Sequence, residues 1–404
     1  MTPPVTVVPS NPRVALVFVI VGDLSGSGGA ERLYSRLHEF LRDGERGVTT
    51  TFVTSRGGLK RFQLSGSLRD ESGVLAVQIN GYPGQSKAST LLMTSQLLWS
   101  VVVNRFDVIH ITTESPIYVP FLAALRLIPR PFRPKVALTI VDCTLAHSLQ
   151  QPPPAGTYEH QVLDAYRLYE RLVRLDGVFA WYRAFVEVAG GRRRRDQVLQ
   201  AARYCFTDTE RFVPIAPKQP VVLFAGRLSE QKRPLLFVDA VAILRDRHPE
   251  LVRGWRFQMY GRGRLAAEVA SRISARGLDP LLTLSHAIDM APIVGESRLF
   301  VSTQAFENFT SLAMLEAMAA GNAVIAEDVG QTGEFVRDGE NGFLVSPPTP
   351  EAFAEAMARY LRAPDVHDAM AAASRRVATE VHTIEHFAGD IVAFWRRLAA
   401  QPQR

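Results

Sequence analysis

Cysteine is nearly missing: Cys143 and Cys205 are the only two in 404 residues. Two thiols cannot make a disulfide framework, and no Cys/His cluster has the spacing of a zinc site. A reducing, cytoplasmic setting suits such a chain. Long apolar runs are missing too. The run Val14 to Val21 is far shorter than the ~20 residues that cross a bilayer, and the N-terminal stretch has no basic leader of the signal-peptide kind. It reads as a first buried strand. No repeat of roughly 20 to 50 residues and no long low-complexity tract interrupts the pattern, which sets aside solenoid and array architectures. Neither a phosphate-loop GK[ST] nor a dinucleotide G-x-G-x-x-G is present, so a nicotinamide dehydrogenase is disfavoured. No D-x-D pair is present either, and no metal is expected.

What remains is an ordinary globular composition, 47% hydrophobic and 21% charged, on a length that suggests about two or three domains. The net charge of +6 is uneven. Residues 1 to 214 hold 25 Lys/Arg against 18 Asp/Glu, a balance of +7, and the remainder holds 21 against 22, a balance of −1. Such an excess can draw a chain to anionic lipid, acidic glycan or nucleic acid. Arginine far outnumbers lysine, so genome composition supplies part of it, and GGRRRRDQ at 190–197 reads equally as a solvated loop.

Short β-branched runs alternate with stretches of helical period, the pattern of a parallel sheet covered by helices. It occurs twice. The first half offers RVALVFVIVG, TTTFVTS, VLAVQI, DVIHIT and KVALTIVD, with a helix such as ERLYSRLHEFLRDG after the first. The second half restarts at QPVVLFAGRL and continues with RFQMYG, LLTLSH, RLFVSTQ and NAVIAEDVG. Three prolines in RFVPIAPKQP, residues 211–220, mark the boundary. The expected fold is α/β: two Rossmann-like domains facing a cleft, 1–214 and 215–384, with a C-terminal helix at 385–400 completing the first. HQVLDAYRLYERLVRLDGVFAWYRAF reads as one helical region whose aromatics Trp181, Tyr182 and Phe185 belong to the core. In open α/β sheets ligands collect outside the carboxyl ends of the strands, so the loops there are the candidates.

Three segments carry possible chemistry. In GDLSGSGGAERL, Gly26, Gly28 and Gly29 let the backbone turn tightly before a helix N-terminus, which suits a phosphate or is a plain strand-to-helix turn. In FAGRLSEQKRP, Arg227 and Lys232 follow a strand, where a fork and a point charge would hold a diphosphate or decorate a surface loop. In FENFTSLAMLEAMAAGNAV, residues 311–320 suit a helix stopped by Gly321, and Glu316 shares a face with Leu312 and Ala320 that should be buried. A buried carboxylate needs a partner. An arginine is the plain choice, and a ligand offering hydroxyl donors is the other. The loop before the helix would also present backbone N–H groups.

These three segments, in this order, resemble the large family-4 type of retaining nucleotide-sugar glycosyltransferases, which have the two-domain GT-B fold. The likeness is clearest from VVLFAGRLSEQKRP through MYGRGRL to FENFTSLAMLEAMAAGNAVIAEDVGQTGEFVRDGENGFLV, and looser in the first half. It implies a retaining transfer of a hexose-type sugar from a UDP- or GDP-linked donor to a hydroxyl acceptor, glycan, lipid or small molecule. No cofactor, metal or nucleic acid is implied. It points to Gly28, Gly29, Gly226 and Gly261 beside the donor, to Arg227 and Lys232 on its diphosphate, to His286 and Ala287 near the base, and to Phe309, Thr310, Ser311 and Leu312 at the helix start. Glu316 matches the acid that binds the ribose hydroxyls.

Two positions depart from the family pattern. Seven residues separate the family's two motif glutamates, which puts Asn308, not Glu307, at the sugar-facing position; a one-residue insertion would restore Glu307. Counting from the helix favours Asn308. The first-domain histidine common in relatives falls on Val141, with Asp142 or His147 as substitutes. A GT-B-fold nucleotide-sugar epimerase and a catalytically degenerate nucleotide-sugar-binding module are the alternatives. The basic first domain, through Arg192 to Arg195, also suggests peripheral contact with an anionic membrane.

Overall fold

The computed structural model describes residues 11–17, 29–42, 46–55, 74–77, 86–191, 196–309 and 311–402. The chain forms two compact units, residues 1–203 with 387–404, and residues 204–386. Both are parallel sheets with helical crossovers, as the alternating pattern predicts.

The first unit holds β1 (Arg13–Val17), β2 (Thr49–Ser55), β3 (Val74–Val77), β4 (Val108–Ile111), β5 (Lys135–Ile140), β6 (Gly177–Ala180) and β7 (Val198–Ala201). Among the described residues their order is β3-β2-β1-β4-β5-β6-β7. All pairings are parallel, with Leu16 opposite Phe52 on one side and His110 on the other. The order reverses between β1 and β4. The single helical region expected across 160–185 is two helices, Tyr158–Leu172 and Arg183–Gly190, separated by β6. Its aromatics are core residues all the same: Trp181, Tyr182 and Phe185 are buried.

The change of unit falls at Arg203/Tyr204, ahead of the prolines expected to mark it. Residues 204–220 already bond within the second unit, Cys205 N–H to His382 Nδ1 at 3.2 Å and Ile215 N–H to Gly295 O at 3.0 Å. At the other end residues 387–404 return to the first unit, slightly later than the expected residue 385. There Trp395 Nε1 donates to His110 Nδ1 at 2.8 Å, and Phe394 packs on Phe179. Gly177 opens β6 because a Cβ there would meet Phe394 and Leu398 at 2.8 Å. The buried Asp390 carboxylate accepts from Arg203 N–H at 3.0 Å and from its guanidinium at 2.9 Å.

The second unit holds β8 (Val221–Ala225), β9 (Arg256–Tyr260), β10 (Leu282–Ser285), β11 (Leu299–Ser302), β12 (Ala323–Glu327) and β13 (Gly342–Val345), ordered β10-β9-β8-β11-β12-β13. β8 and β11 read VVLFA and LFVS, apolar without alternation, because helices cover both faces of a parallel sheet. Val222, Phe257, Val301 and Ile325 from four strands meet Phe237, Val241 and Met357 in one core. The Pro234–Arg247 helix starts on a proline, whose missing N–H has no helical acceptor to lose. Among the described residues no helix is long and apolar enough to cross a membrane.

Trp395→Ala should loosen the returning helix, since it removes a fully buried indole and orphans His110. We expect a loss of about 3 to 5 kcal/mol from the first unit's unfolding transition, read as a lower urea midpoint at unchanged slope.

Candidate functional site

In the second unit the sheet order reverses between β8 and β11, so the crevice at their carboxyl ends is where an open α/β sheet receives ligands. The loop after β8 holds Gly226, Arg227 and Lys232, and the loop after β11 leads through Glu307 and Asn308 to the Leu312–Ala319 helix. The two loops are stitched together. Ala305 N–H donates to Gln231 O at 2.9 Å, and Thr303 Oγ1 donates to Lys232 O at 2.8 Å and Arg233 O at 3.0 Å. Lys232 Nζ donates to Gln304 Oε1, and Gln304 Nε2 to Glu307 O. Arg227 is exposed and Lys232 half-buried.

Arg233 is a residue that sequence reasoning passed over. Its backbone is left-handed, with φ of +44°, a region that L side chains with bulk rarely occupy. Its Nε donates to Thr303 O at 2.8 Å, and its guanidinium pairs with Glu327 at the end of β12. Burial pushes its pKa down. The strained residue thus ties the β8 loop to the ends of β11 and β12.

The neighbouring loops close on this one. Gly226 N–H donates to Tyr260 O at 3.0 Å, Leu228 N–H to Arg262 O at 2.9 Å, and Gly261 N–H to Ser285 O at 3.0 Å. A Cβ on Gly261 would lie 2.0 Å from Gly226 O, so the approach needs glycine. His286 is exposed and Ala287 half-buried after β10, two strands from the reversal point.

Glu307 and Asn308 take different environments. Asn308 is fully buried: its Oδ1 accepts from Ser302 Oγ at 2.7 Å and its Nδ2 donates to Thr332 Oγ1 at 3.1 Å. Its amide braces two loops from within the interior. Glu307 is also buried, but its Oε1 accepts N–H bonds from Phe309 at 2.9 Å and Gln331 at 2.8 Å. Its Oε2 lies beside Gly330, where φ is +56° and a Cβ would come within 2.3 Å of it. Burial raises the Glu307 pKa, against the pull of those N–H donors.

The helix begins at Leu312 with Ser311 before it and ends in the left-handed Gly321, φ +69°. Glu316 is half-buried among buried neighbours Leu315, Ala317 and Met318, so the fully buried face expected for it is only partly closed. Two expected backbone donors are already engaged, Phe309 N–H with Glu307 and Ser311 N–H with Asn308 O at 2.9 Å. The Phe309 ring is buried against Phe335. Leu312 heads a first turn whose N–H groups lack helical acceptors. Thr310 and Gly28 lie outside the described residues, as do Arg192 to Arg195; Gly29 opens the Gly29–Leu41 helix.

The first unit has its own reversal point, between β1 and β4, where Thr112 Oγ1 donates to Val17 O at 3.1 Å. Beside it sits a carboxylate that sequence reasoning missed. Glu114 is buried, and accepts Val141 N–H at 3.1 Å and Asp142 N–H at 2.9 Å. Burial first, then the charge of Asp142, pushes its pKa up to about 7. Asp142 accepts from Thr144 N–H at 2.8 Å and so caps the next turn, while His147 is exposed on the Leu145–Gln150 helix.

The raised pKa has a definite sign. Between pH 4.5 and about 7 the folded chain keeps a proton on Glu114 that the unfolded chain has lost, so this group's contribution to stability falls as pH rises through that window. Glu114→Gln should flatten the decline of Tm across it; an unchanged Tm-versus-pH curve would show that Glu114 does not titrate there.

Residues 219–363 match the family model described as Glycosyl transferases group 1. Among curated proteins, the D-inositol 3-phosphate glycosyltransferase of Streptomyces griseus is 34% identical over 163 residues, 38% of this chain and 34% of that one. That of Jonesia denitrificans is 30% identical over 188 residues, 45% and 44% respectively, and the alpha-D-kanosaminyltransferase of Streptomyces kanamyceticus 27% over 157 residues, 38% and 39%. The match thus spans well under half the length of these relatives. Similarity of fold extends over the whole chain. Anabaena HepE in complex with UDP and glucose superposes with a TM-score of 0.68 at 17% identity, covering 95% of this chain and 99% of that one. Sucrose-phosphate synthase from Thermosynechococcus elongatus gives 0.70 at 17%, covering 96% and 99%, and TarM gives 0.71 at 12%, covering 95% and 98%. The fold is the two-domain GT-B fold.

Proposed function

We propose that this chain, whose second unit belongs to the group 1 glycosyl transferases, moves a hexose-type sugar from a UDP- or GDP-linked donor to an acceptor hydroxyl with retention at the anomeric carbon. The observation that carries the reading is the stitched crevice between β8 and β11. It gathers two cations, a helix N-terminus and two carboxylates at one reversal point. The UDP and glucose held by Anabaena HepE support the donor class.

In this reading Arg227 and Lys232 hold the diphosphate and, with the first-turn N–H groups of the Leu312–Ala319 helix, carry the charge that develops as it leaves. The acceptor hydroxyl then attacks the same face of an oxocarbenium-like sugar and gives up its proton to the departing phosphate oxygen. No protein nucleophile and no metal take part. Glu316, half-buried at the middle of the helix, accepts from the ribose hydroxyls.

Glu307, not Asn308, faces the sugar. Asn308 spends its amide on Ser302 and Thr332, whereas Glu307 is held by two N–H donors at one oxygen and keeps the other for a sugar hydroxyl. The one-residue insertion between the two glutamates lies in the loop ahead of Leu312. An intact Glu307 favours a working transferase over a degenerate binding module. The acceptor is a glycan, a lipid-linked group or a small molecule. A cytoplasmic location belongs to the same reading and suits Cys143 and Cys205, neither of which is in a disulfide.

Arg227→Ala and Lys232→Ala should each lower kcat/KM by about 10²- to 10³-fold in a donor-consumption assay with UDP- and GDP-hexoses. Glu316→Ala should raise donor KM on the order of tenfold with a smaller change in kcat. Full turnover in all three variants would overturn the site. Chelator should leave the rate unchanged, and the product should be a glycoside of retained configuration; an epimerised nucleotide sugar formed without acceptor would assign the chain to the epimerases instead.

A second comparison separates the two motif residues. Glu307→Gln should depress kcat far more than it depresses Tm. Asn308→Ala should do the reverse, because it removes a fully buried brace, and the opposite pattern would restore Asn308 to the sugar.

A further inference from the structure

The Lys87–Asn104 helix of the first unit, KASTLLMTSQLLWSVVVN, carries no charge after Lys87. Its inner stripe, Ser89, Met93, Leu97 and Val101, is buried at the four-residue spacing of one helical face. The opposite face should then be polar, and it is not. Leu91, Trp99, Val102 and Val103 stand in solvent, Trp99 with 64% of its surface exposed.

A second apolar ridge rises beside it. The loop after the Val119–Ala124 helix exposes Leu127 at 84% and Phe132 at 71%. Between helix and loop lies a groove of about 830 Å³ walled by Leu98, Trp99, Val102, Leu127, Ile128 and Phe132. The loop is held open from inside: Arg133 donates from Nε to Ile128 O at 3.2 Å and from its terminal nitrogen to Arg126 O at 2.6 Å and Ile128 O at 2.9 Å. An exposed apolar surface of this size on a rigid frame marks something that covers it.

Charge says what covers it. Residues 86–106 and 115–135 contain no Asp or Glu, while they carry Lys87, Arg105, Arg126, Arg130, Arg133 and Lys135. Arg105, Arg126 and Arg130 are exposed. Among the described lining residues Asp107 is the one acid, and its carboxylate accepts Arg13 N–H at 2.7 Å. Apolar side chains bounded by cations, with an indole among them, match a bilayer interface: acyl chains beneath, anionic headgroups around. The groove borders Asp107 and Arg133, which lead into β4 and β5, so it lies at the amino ends of these strands. The carboxyl ends, where ligands collect, stay clear.

We infer that this face docks the chain peripherally on an anionic phospholipid surface, with Trp99, Leu127 and Phe132 entering the interface and Arg105, Arg126 and Arg130 meeting lipid phosphates. The inference is independent of the transferase reading, and needs neither donor nor acceptor.

The test is co-sedimentation of the full chain with phosphatidylcholine vesicles made with and without phosphatidylglycerol. Binding should require phosphatidylglycerol and weaken as salt rises. Trp99→Glu and Leu127→Glu should each weaken it on the order of tenfold, since both remove interfacial apolar area, while Tm stays unchanged. The double variant Arg126→Glu/Arg130→Glu should lose the preference for the anionic lipid. Trp181 and Trp395 are buried and Trp255 half-buried, so a blue shift of the emission on adding vesicles should vanish in Trp99→Phe. Absent binding, equal binding to phosphatidylcholine alone, or binding unaffected by these variants would overturn the proposal. So would a wild-type dimer that Trp99→Glu or Leu127→Glu converts to a monomer without altering vesicle binding, because the face would then be covered by a second copy.

Discussion

The second unit turns on one strained residue. Pro234 disfavours the right-handed helical region for the residue before it, and Arg233 takes the left-handed one, at a cost of order 1 to 3 kcal/mol. The surroundings offset that strain: Thr303 bonds the carbonyls on both sides of Arg233, and the guanidinium reaches the ends of β11 and β12. The turn is therefore braced by contacts within its own unit. A charged loop that had to be ordered by its ligand would lose affinity to that ordering; this one has been ordered by its own sheet.

The same economy governs the buried carboxylates. The sequence suggests an arginine as the ordinary partner for a carboxylate in an apolar setting. The chain uses backbone N–H groups instead, at Glu114 from Val141 and Asp142, and at Glu307 from Phe309 and Gln331. An arginine would neutralise the acid and occupy its outer lone pairs. Backbone donors bring no counter-charge, so burial still raises both pKa values, and at Glu307 they engage one oxygen and fix the orientation of the carboxylate. Gly330 completes this for Glu307, since any side chain there would sit on its free oxygen.

Much of this was legible in the sequence, and the failures have physical reasons. VVLFA was readable because a buried parallel strand stays apolar, and TTTFVTS because its β-branched residues favour a strand. β6, GVFA, was hidden by helical periodicity on both sides, and β13, GFLV, is four residues long in a turn-rich segment. The roles expected of Arg227 and Lys232 came only through the family resemblance of FAGRLSEQKRP, whereas Arg233 looked like one more basic residue until its backbone was known. Glu114 lies in TTESP, an ordinary loop sequence; only the pairing of β4 with β5 brings the two amides to it. A count along the chain from Glu316 carries the register only over the helix, which begins at Leu312, so it cannot by itself place Glu307 and Asn308 in the loop before it.

The basic excess of the first half also acquires a different meaning. A net charge describes a long-range field and says nothing of contact. Within 86–106 and 115–135 the excess consists of cations without acids, placed around apolar side chains that a soluble surface has no reason to expose. Solvation alone explains either half of that pattern. Exposed arginines are common, and single exposed leucines need no account. It does not explain both on one rigid face, because a solvated face has no use for the indole and the leucines, and a protein partner of ordinary composition has no need for an acid-free rim. The first unit thus has two chemically different ends of its sheet, polar carboxylates with backbone donors at the carboxyl ends and a cation-rimmed apolar groove at the amino ends. The topology separates them by the length of a strand, so that neither surface need be compromised for the other.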